Sequence, residues 1–80
     1  MNPMNRYFFH IHERNELEID VEGVEFADDA AARWGAISAA KDMVVEAVVG
    51  DAEIDGRQLE VMSSGGDLVA VVSLQSVIKI

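Results

Sequence analysis

The chain has 80 residues, of which 15 are acidic and 6 basic, and its formal net charge is -9. Hydrophobic residues make up 50% of it, which excludes a disordered chain. The negative field excludes non-specific binding to nucleic acids and favours basic partners.

A chain of this length forms one domain with a thin core, which natural proteins often supplement by oligomerisation. There is no cysteine, so disulfides and thiolate metal sites are excluded. No apolar run reaches the roughly 20 residues that cross a bilayer, and the first residues lack the features of a signal peptide. We therefore expect a single cytoplasmic domain over residues 1–80, without a membrane partner.

The first predicted element is a strand at residues 6–13, because its aromatic and β-branched residues favour extended backbone. Residues 1–5 are polar and are expected to fray. Successive side chains of a strand point to opposite faces. The expected core face is formed by Tyr7, Phe9 and Ile11, and the other face by Phe8, His10 and His12.

A hairpin is expected next. Residues 14–16 predict a turn, and the alternation of apolar and acidic residues over positions 17–20 predicts a second strand. A further turn follows at residues 22–23, after which Val24 and Phe26 extend the chain towards a helix.

The helix begins after Asp28 or Asp29, either of which is a suitable N-cap. It is expected to end near residue 49, with Gly50 in the C′ position. Residues 59–63 and 68–74 then form a second hairpin. The predicted fold class is α+β: two β-hairpins flank one helix (ββαββ), and the helix covers one face of a small, mostly antiparallel sheet.

The helix carries apolar residues on more than one side. Its sheet-facing side consists mainly of small residues: Ala32, Ala36, Ile37, Ala40, Met43, Val44 and Ala47. Trp34, Val45 and Val48 form a further apolar stripe. These three side chains either cover the sheet edge, lie under the C-terminal tail, or form a partner surface.

The last strand is apolar on both faces, which is typical of a strand that is covered on both sides. One helix covers only one side, so a homodimer that pairs sheets or edges would explain the pattern. Alternatively, the tail at residues 75–80 folds across the second face through Val77, Ile78 and Ile80. The predicted partner interface comprises Phe8, Trp34, Val45, Val48, Val69 and Val71.

A metal site is a second hypothesis, because His10 and His12 project from the same face of a strand. Their spacing suits two nitrogen ligands, and a third would come from Glu60 or Glu18. Two ligands are fewer than a stable zinc site needs, so solvated or hydrogen-bonded histidines are the simpler interpretation.

Two acidic segments imitate binding sites. Residues 51–56 resemble the start of a calcium loop, but Met62 occupies the position of the bidentate glutamate, which favours a simple turn. The densest acidic patch would bind a basic protein or a cation, or else is a solvated loop before the helix. It comprises Asp20, Glu22, Glu25, Asp28 and Asp29. No catalytic constellation is visible, so we expect neither an enzyme nor a cofactor.

The opening strand at residues 6–11, the bend at 22–26, the alanine-rich helix and the strand at 59–61 resemble a family of short uncharacterised bacterial proteins, grouped as a domain of unknown function. The resemblance extends from residue 6 to about residue 74. The chain departs from it at residues 64–67, where an acidic residue followed by glycine is usual. The resemblance implies a bacterial, cytoplasmic origin and no activity.

These observations favour a small acidic protein that acts as a homodimeric interaction or regulatory module. One version is an antitoxin-like partner of a basic protein. The alternative is a metal-binding module that uses His10 and His12.

Overall fold

The aromatic segment at the start of the chain forms the central strand of an antiparallel sheet. The computed structural model describes residues 4–78. Its elements are β1 (Asn5–Glu13), β2 (Glu16–Glu18), β3 (Val24–Phe26), α1 (Asp29–Val49), β4 (Arg57–Ser63) and β5 (Leu68–Ser73), followed by a short 3₁₀ turn at Gln75–Val77. The strand order is β2-β1-β4-β5, and β3 also pairs with β1. The predicted α+β fold, with one helix and an antiparallel sheet, is confirmed.

β1 uses both of its edges. On one edge it pairs with the whole of β4, from Tyr7 opposite Ser63 to Glu13 opposite Arg57. On the other edge, β2 pairs with its second half and β3 with its first half. β1 starts at Asn5, one residue before the predicted strand, because Asn5 pairs with β3. Residues 1–3 of the segment expected to fray, and residues 79–80 of the tail, lie outside the described residues.

The core lies between α1 and the sheet. Its buried side chains come from the helix, from β1, β4 and β5, and from the residue after β5: Tyr7, Ala32, Ala36, Ala40, Leu59, Val61, Val72 and Leu74. The helix contributes only alanines to this set, and small side chains let its axis approach the strands closely. Phe9 and Ile11 pack against the same cluster, so the predicted core face of β1 is correct.

Both ends of α1 are capped, but the C-terminal cap differs from the prediction. Asp28 is the N-cap, and its carboxylate accepts a hydrogen bond from the backbone N–H of Ala31 at 2.8 Å. The prediction of Gly50 in the C′ position is wrong by one residue, because Gly50 is the C-cap with φ -86° and Asp51 follows it with φ 59°. The N–H of Ala52 then donates to the carbonyl of Ala47 at 2.8 Å, a pattern typical of a Schellman cap.

Gly35, in the interior of α1, makes room for the last residue of β3. A Cβ at this position would clash with Cζ of Phe26. The Phe26 ring stacks on Phe9 with centroids 5.8 Å apart and meets the edge of Tyr7 at 6.1 Å. The aromatic cluster therefore depends on a glycine that helix propensity alone disfavours.

Candidate functional site

The sheet face opposite the helix carries the residues singled out from the sequence. Phe8, His10 and His12 of β1 project from this outer face, as predicted. Their direct neighbours on β4 are Met62, Glu60 and Gln58. In the described residues 4–78, no helix packs on this face, since α1 contacts the strands from the other side.

The ring of His10 is held by the chain segment between β2 and β3. Its Nδ1 accepts a hydrogen bond from the backbone N–H of Asp20 at 3.0 Å. The ring also stacks on Phe8, with centroids 6.4 Å apart. An accepting Nδ1 places the proton of the neutral imidazole on Nε2. The Nδ1 atom of His10 therefore makes a structural hydrogen bond.

Asp20 closes the interruption between β2 and β3. Its Oδ2 accepts from the N–H of Phe9 at 3.0 Å, where β1 has no strand partner on that edge. Its Oδ1 accepts from the N–H groups of Glu22 and Gly23, at 3.2 Å and 3.1 Å. The Asp20 carboxylate thus replaces the strand-to-strand hydrogen bond that is missing at Phe9. It also shapes the turn at Gly23, which has φ 73°.

The pKa of Asp20 reflects these contacts. Partial burial alone would raise it, but the backbone N–H groups of Phe9, Gly23 and Glu22, together with nearby His10, outweigh that effect and lower the pKa. From the sequence, Asp20 was expected in the second strand and in an acidic patch, but β2 ends at Glu18. The signal that was missed is an aspartate three residues before a glycine, which is typical of a side chain that caps a turn.

His12 approaches a carboxylate on the neighbouring strand. Its Nδ1 lies 3.8 Å from Oε2 of Glu60. Glu18 sits directly opposite Ile11, so it belongs to the helix-side face and is not a third ligand for the histidine pair. Within residues 4–78, no group of three histidine, aspartate or glutamate side chains is arranged to hold a metal ion.

The residues of the predicted partner interface fall on two opposite sides of the domain. Trp34, Val45 and Val48 lie on the side of α1 that faces away from the sheet, where they are 68%, 61% and 71% exposed. Among residues 4–78 these three side chains are packed neither on a sheet edge nor under the tail, since each is more than half exposed. We call this surface the helix stripe; it also contains Ser38 and Lys41, because positions 34, 38, 41, 45 and 48 follow the helical repeat.

The other three residues are associated with the sheet. Phe8 and Val71 belong to the outer face, where Val71 sits opposite Glu60 and is 47% exposed. Val69 lies at a β-bulge in β5 and packs against the core cluster. The tail does not cover this face through Val77, which packs against the core on the helix side, and Ile78 is exposed. Ile80 lies outside the described residues.

The acidic patch is largely used within the fold. Asp28 caps the helix, and Asp29 accepts a hydrogen bond from the Tyr7 hydroxyl at 2.6 Å. This bond is the main reason why the pKa of Tyr7 is raised, and burial and the charge of Asp29 add to it. Glu25 pairs with Arg6 at 3.5 Å. These contacts support the interpretation as a loop that leads into a capped helix.

The loop before β4 borders a groove of about 570 Å³. Arg14 lies 2.7 Å from Glu53, and Nε of Arg57 lies 2.8 Å from Oε1 of Glu13. The second contact is ionic without the geometry of a hydrogen bond. The calcium-like segment ends in a turn at Gly56, with φ 77°, and continues into β4 as a strand, as expected for a turn.

No helix among the described residues is long and apolar enough to cross a membrane. A search of curated proteins and a search of solved structures each gave no match. A family model described as a domain of unknown function, DUF6894, matches residues 6–75 and so includes β1 to β5 apart from Asn5. The protein therefore belongs to the DUF6894 family, which confirms the expected resemblance to a domain family of unknown function.

Proposed function

We propose that this protein is a small interaction module that works as a homodimer, paired through the open edge of β5. The observation that carries the proposal is the character of this edge. β5 reads Leu-Val-Ala-Val-Val-Ser and contains no charge, although the chain as a whole carries -9. An apolar edge strand without charge or proline is a template for pairing with another strand.

The hydrogen-bond pattern indicates which groups are available for pairing. The N–H of Leu74 donates to the carbonyl of Arg57 at 3.0 Å, so these two residues form a hydrogen-bonded pair. Alternation along an antiparallel ladder then directs the backbone groups of Val72 towards β4 and those of Val71 towards the open edge. The carbonyl of Ser73 already accepts from the hydroxyl of Ser76. Within the described part of the chain, the backbone N–H and carbonyl of Val71 have no partner, and they lie at the centre of the available edge.

A second copy suits this edge better than a strand from an acidic protein. Two-fold symmetry pairs β5 with its own copy in antiparallel orientation, which brings the two uncharged strands together. The outer faces then join into one continuous surface, on which the Val71 side chains of the two copies lie side by side at the axis. Contacts between other surfaces of the two copies are opposed by charge repulsion, because each chain carries a net charge of -9.

The test is the oligomeric state over a range of concentrations, measured by sedimentation velocity and light scattering. Val71→Lys introduces a charge at the edge, and the new ammonium group lies beside Glu60 so that the monomer fold is retained. We expect a dimeric parent and a dissociation constant at least about tenfold higher for Val71→Lys.

Val48→Lys is the matched control, because it makes the same change at an exposed valine on the helix stripe. It is expected to dimerise like the parent. A parent that remains monomeric at high micromolar concentration contradicts the proposal. So does a dimer that Val48→Lys weakens and Val71→Lys leaves unchanged.

A further inference from the structure

We propose that the helix stripe is a second, independent binding surface, whose occupant is a basic amphipathic helix of a different protein. The stripe contains the only tryptophan of the chain, and Trp34, Val45 and Val48 are all more than half exposed. Its apolar positions follow the spacing by which one helix packs along another.

The charges around the stripe determine which kind of helix fits. Asp42 and Glu46 are exposed on the same helix, beside Val45, and Asp51 follows its last turn. The last turn of α1 contains no basic residue, so the negative end of its dipole is not compensated. These groups place negative charge along one flank and at the C-terminal end of the stripe, which favours a partner that carries lysine or arginine beside its apolar residues.

A second copy of this chain fits the stripe less well. Lys41 lies at the centre of the stripe. An antiparallel copy centred on the stripe would place Lys41 next to its own equivalent, and like charges at such a position oppose pairing. A partner helix with an acidic or small residue at its centre and basic residues beside the valines avoids this conflict. The proposal is therefore a heteromeric contact, separate from the β5 edge.

Trp34 provides a direct readout, because burial of an exposed indole shifts its emission to shorter wavelength. The probe is a 14-residue peptide of leucine and lysine, with the leucines at helical spacing. A peptide of the same composition with strictly alternating residues controls for charge attraction alone. We expect the helical peptide to shift the Trp34 emission at low salt and the alternating peptide to bind at least about tenfold more weakly.

Two double variants separate the stripe from the general negative field. Asp42→Asn with Glu46→Gln removes two charges beside the stripe and is expected to weaken the helical peptide about fivefold to tenfold. Glu16→Gln with Glu18→Gln removes two exposed charges from β2 and is expected to change its affinity less than twofold. Val45→Ser with Val48→Ser tests the apolar part and should also weaken binding.

Equal binding of the two peptides overturns the inference, as does equal weakening by the two charge variants. The measurements are repeated with Val71→Lys, which is expected to bind the helical peptide with unchanged affinity. The failure of dimerisation through β5 and the failure of the helix-stripe inference are thereby observed separately.

Discussion

Replacement of Asp20 by alanine tests the role of this carboxylate as the closure of the gap between β2 and β3. The N–H of Phe9 is partly buried and would lose the hydrogen bond that it donates to Asp20 on that edge of β1. An unsatisfied group of this kind costs about 1–3 kcal/mol. The N–H groups of Glu22 and Gly23 lie nearer to solvent and would bond to water. We therefore expect Asp20→Ala to reduce the free energy of unfolding by about 2 kcal/mol.

This loss is large for a domain of this size, whose total stability is about 4–12 kcal/mol. Urea unfolding followed by circular dichroism measures it. Glu22→Ala is the control, since it removes an exposed carboxylate of the same segment. Like Asp20→Ala, it shortens the side chain to Cβ. A difference of less than about 0.5 kcal/mol between Asp20→Ala and Glu22→Ala would refute the role assigned to Asp20.

The lowered pKa of Asp20 also predicts in which direction this difference in unfolding free energy changes with pH. The pKa of Asp20 is lower in the folded state than its usual value of 3.8, so the carboxylate stabilises the fold fully above that value. Its contribution is lost as the pH falls through the lowered pKa. The difference in unfolding free energy between the parent and Asp20→Ala should therefore be constant near neutral pH and shrink in strong acid. A difference that grows on acidification contradicts the reasoning.

Three further changes test other parts of the fold. Gly35→Ala should destabilise the protein by about 1–2 kcal/mol in thermal unfolding, because the clash with Phe26 exceeds the gain in helix propensity; an increase in stability would show that the ring moves away freely. Asp51→Gly should stabilise it by about 1 kcal/mol in urea unfolding, since glycine adopts the φ of 59° without strain and a negative charge leaves the helix C-terminus; a loss of stability would contradict this. The single tyrosine, Tyr7, should ionise above its usual pKa of 10.0 in an ultraviolet titration, and Asp29→Asn should lower that pKa. Tyr7 therefore favours the folded state up to pH 10, and this contribution is lost as the pH rises through the raised pKa. An unchanged titration in Asp29→Asn would refute the assignment.

Patterns of neighbouring residues correctly predicted those parts of the fold that depend on contacts between residues close in sequence. The faces of β1 followed from strand alternation, and the start of α1 followed from a capping aspartate. The strand order did not follow, because the pairing of β1 with β4 joins distant segments. β3 was expected only as an extended connection, since three residues are too few to show a periodic pattern.

The candidate surfaces were predicted as residues but not as an arrangement. Exposed apolar positions on the helix and the last strand were identified together, as though they formed one interface. Trp34 and Val71 in fact lie on opposite sides of the domain, because the helix turns its stripe away from the sheet. Asp20 was not distinguished from its acidic neighbours. The backbone groups that it binds come together only when β2 and β3 have both paired with the same edge of β1.

The central position of β1 determines how the chain folds. Its partners in β4 lie between 44 positions away, from Glu13 to Arg57, and 56 positions away, from Tyr7 to Ser63. Contacts of such long range must close a large loop before they contribute, which slows folding relative to a chain of local contacts. The N-terminal hairpin and the helix together still lack Leu59 and Val61, so they have no complete core until β4 is added. A fragment that ends before β4 is therefore expected to stay unfolded, and the domain should gain or lose its structure as one cooperative unit.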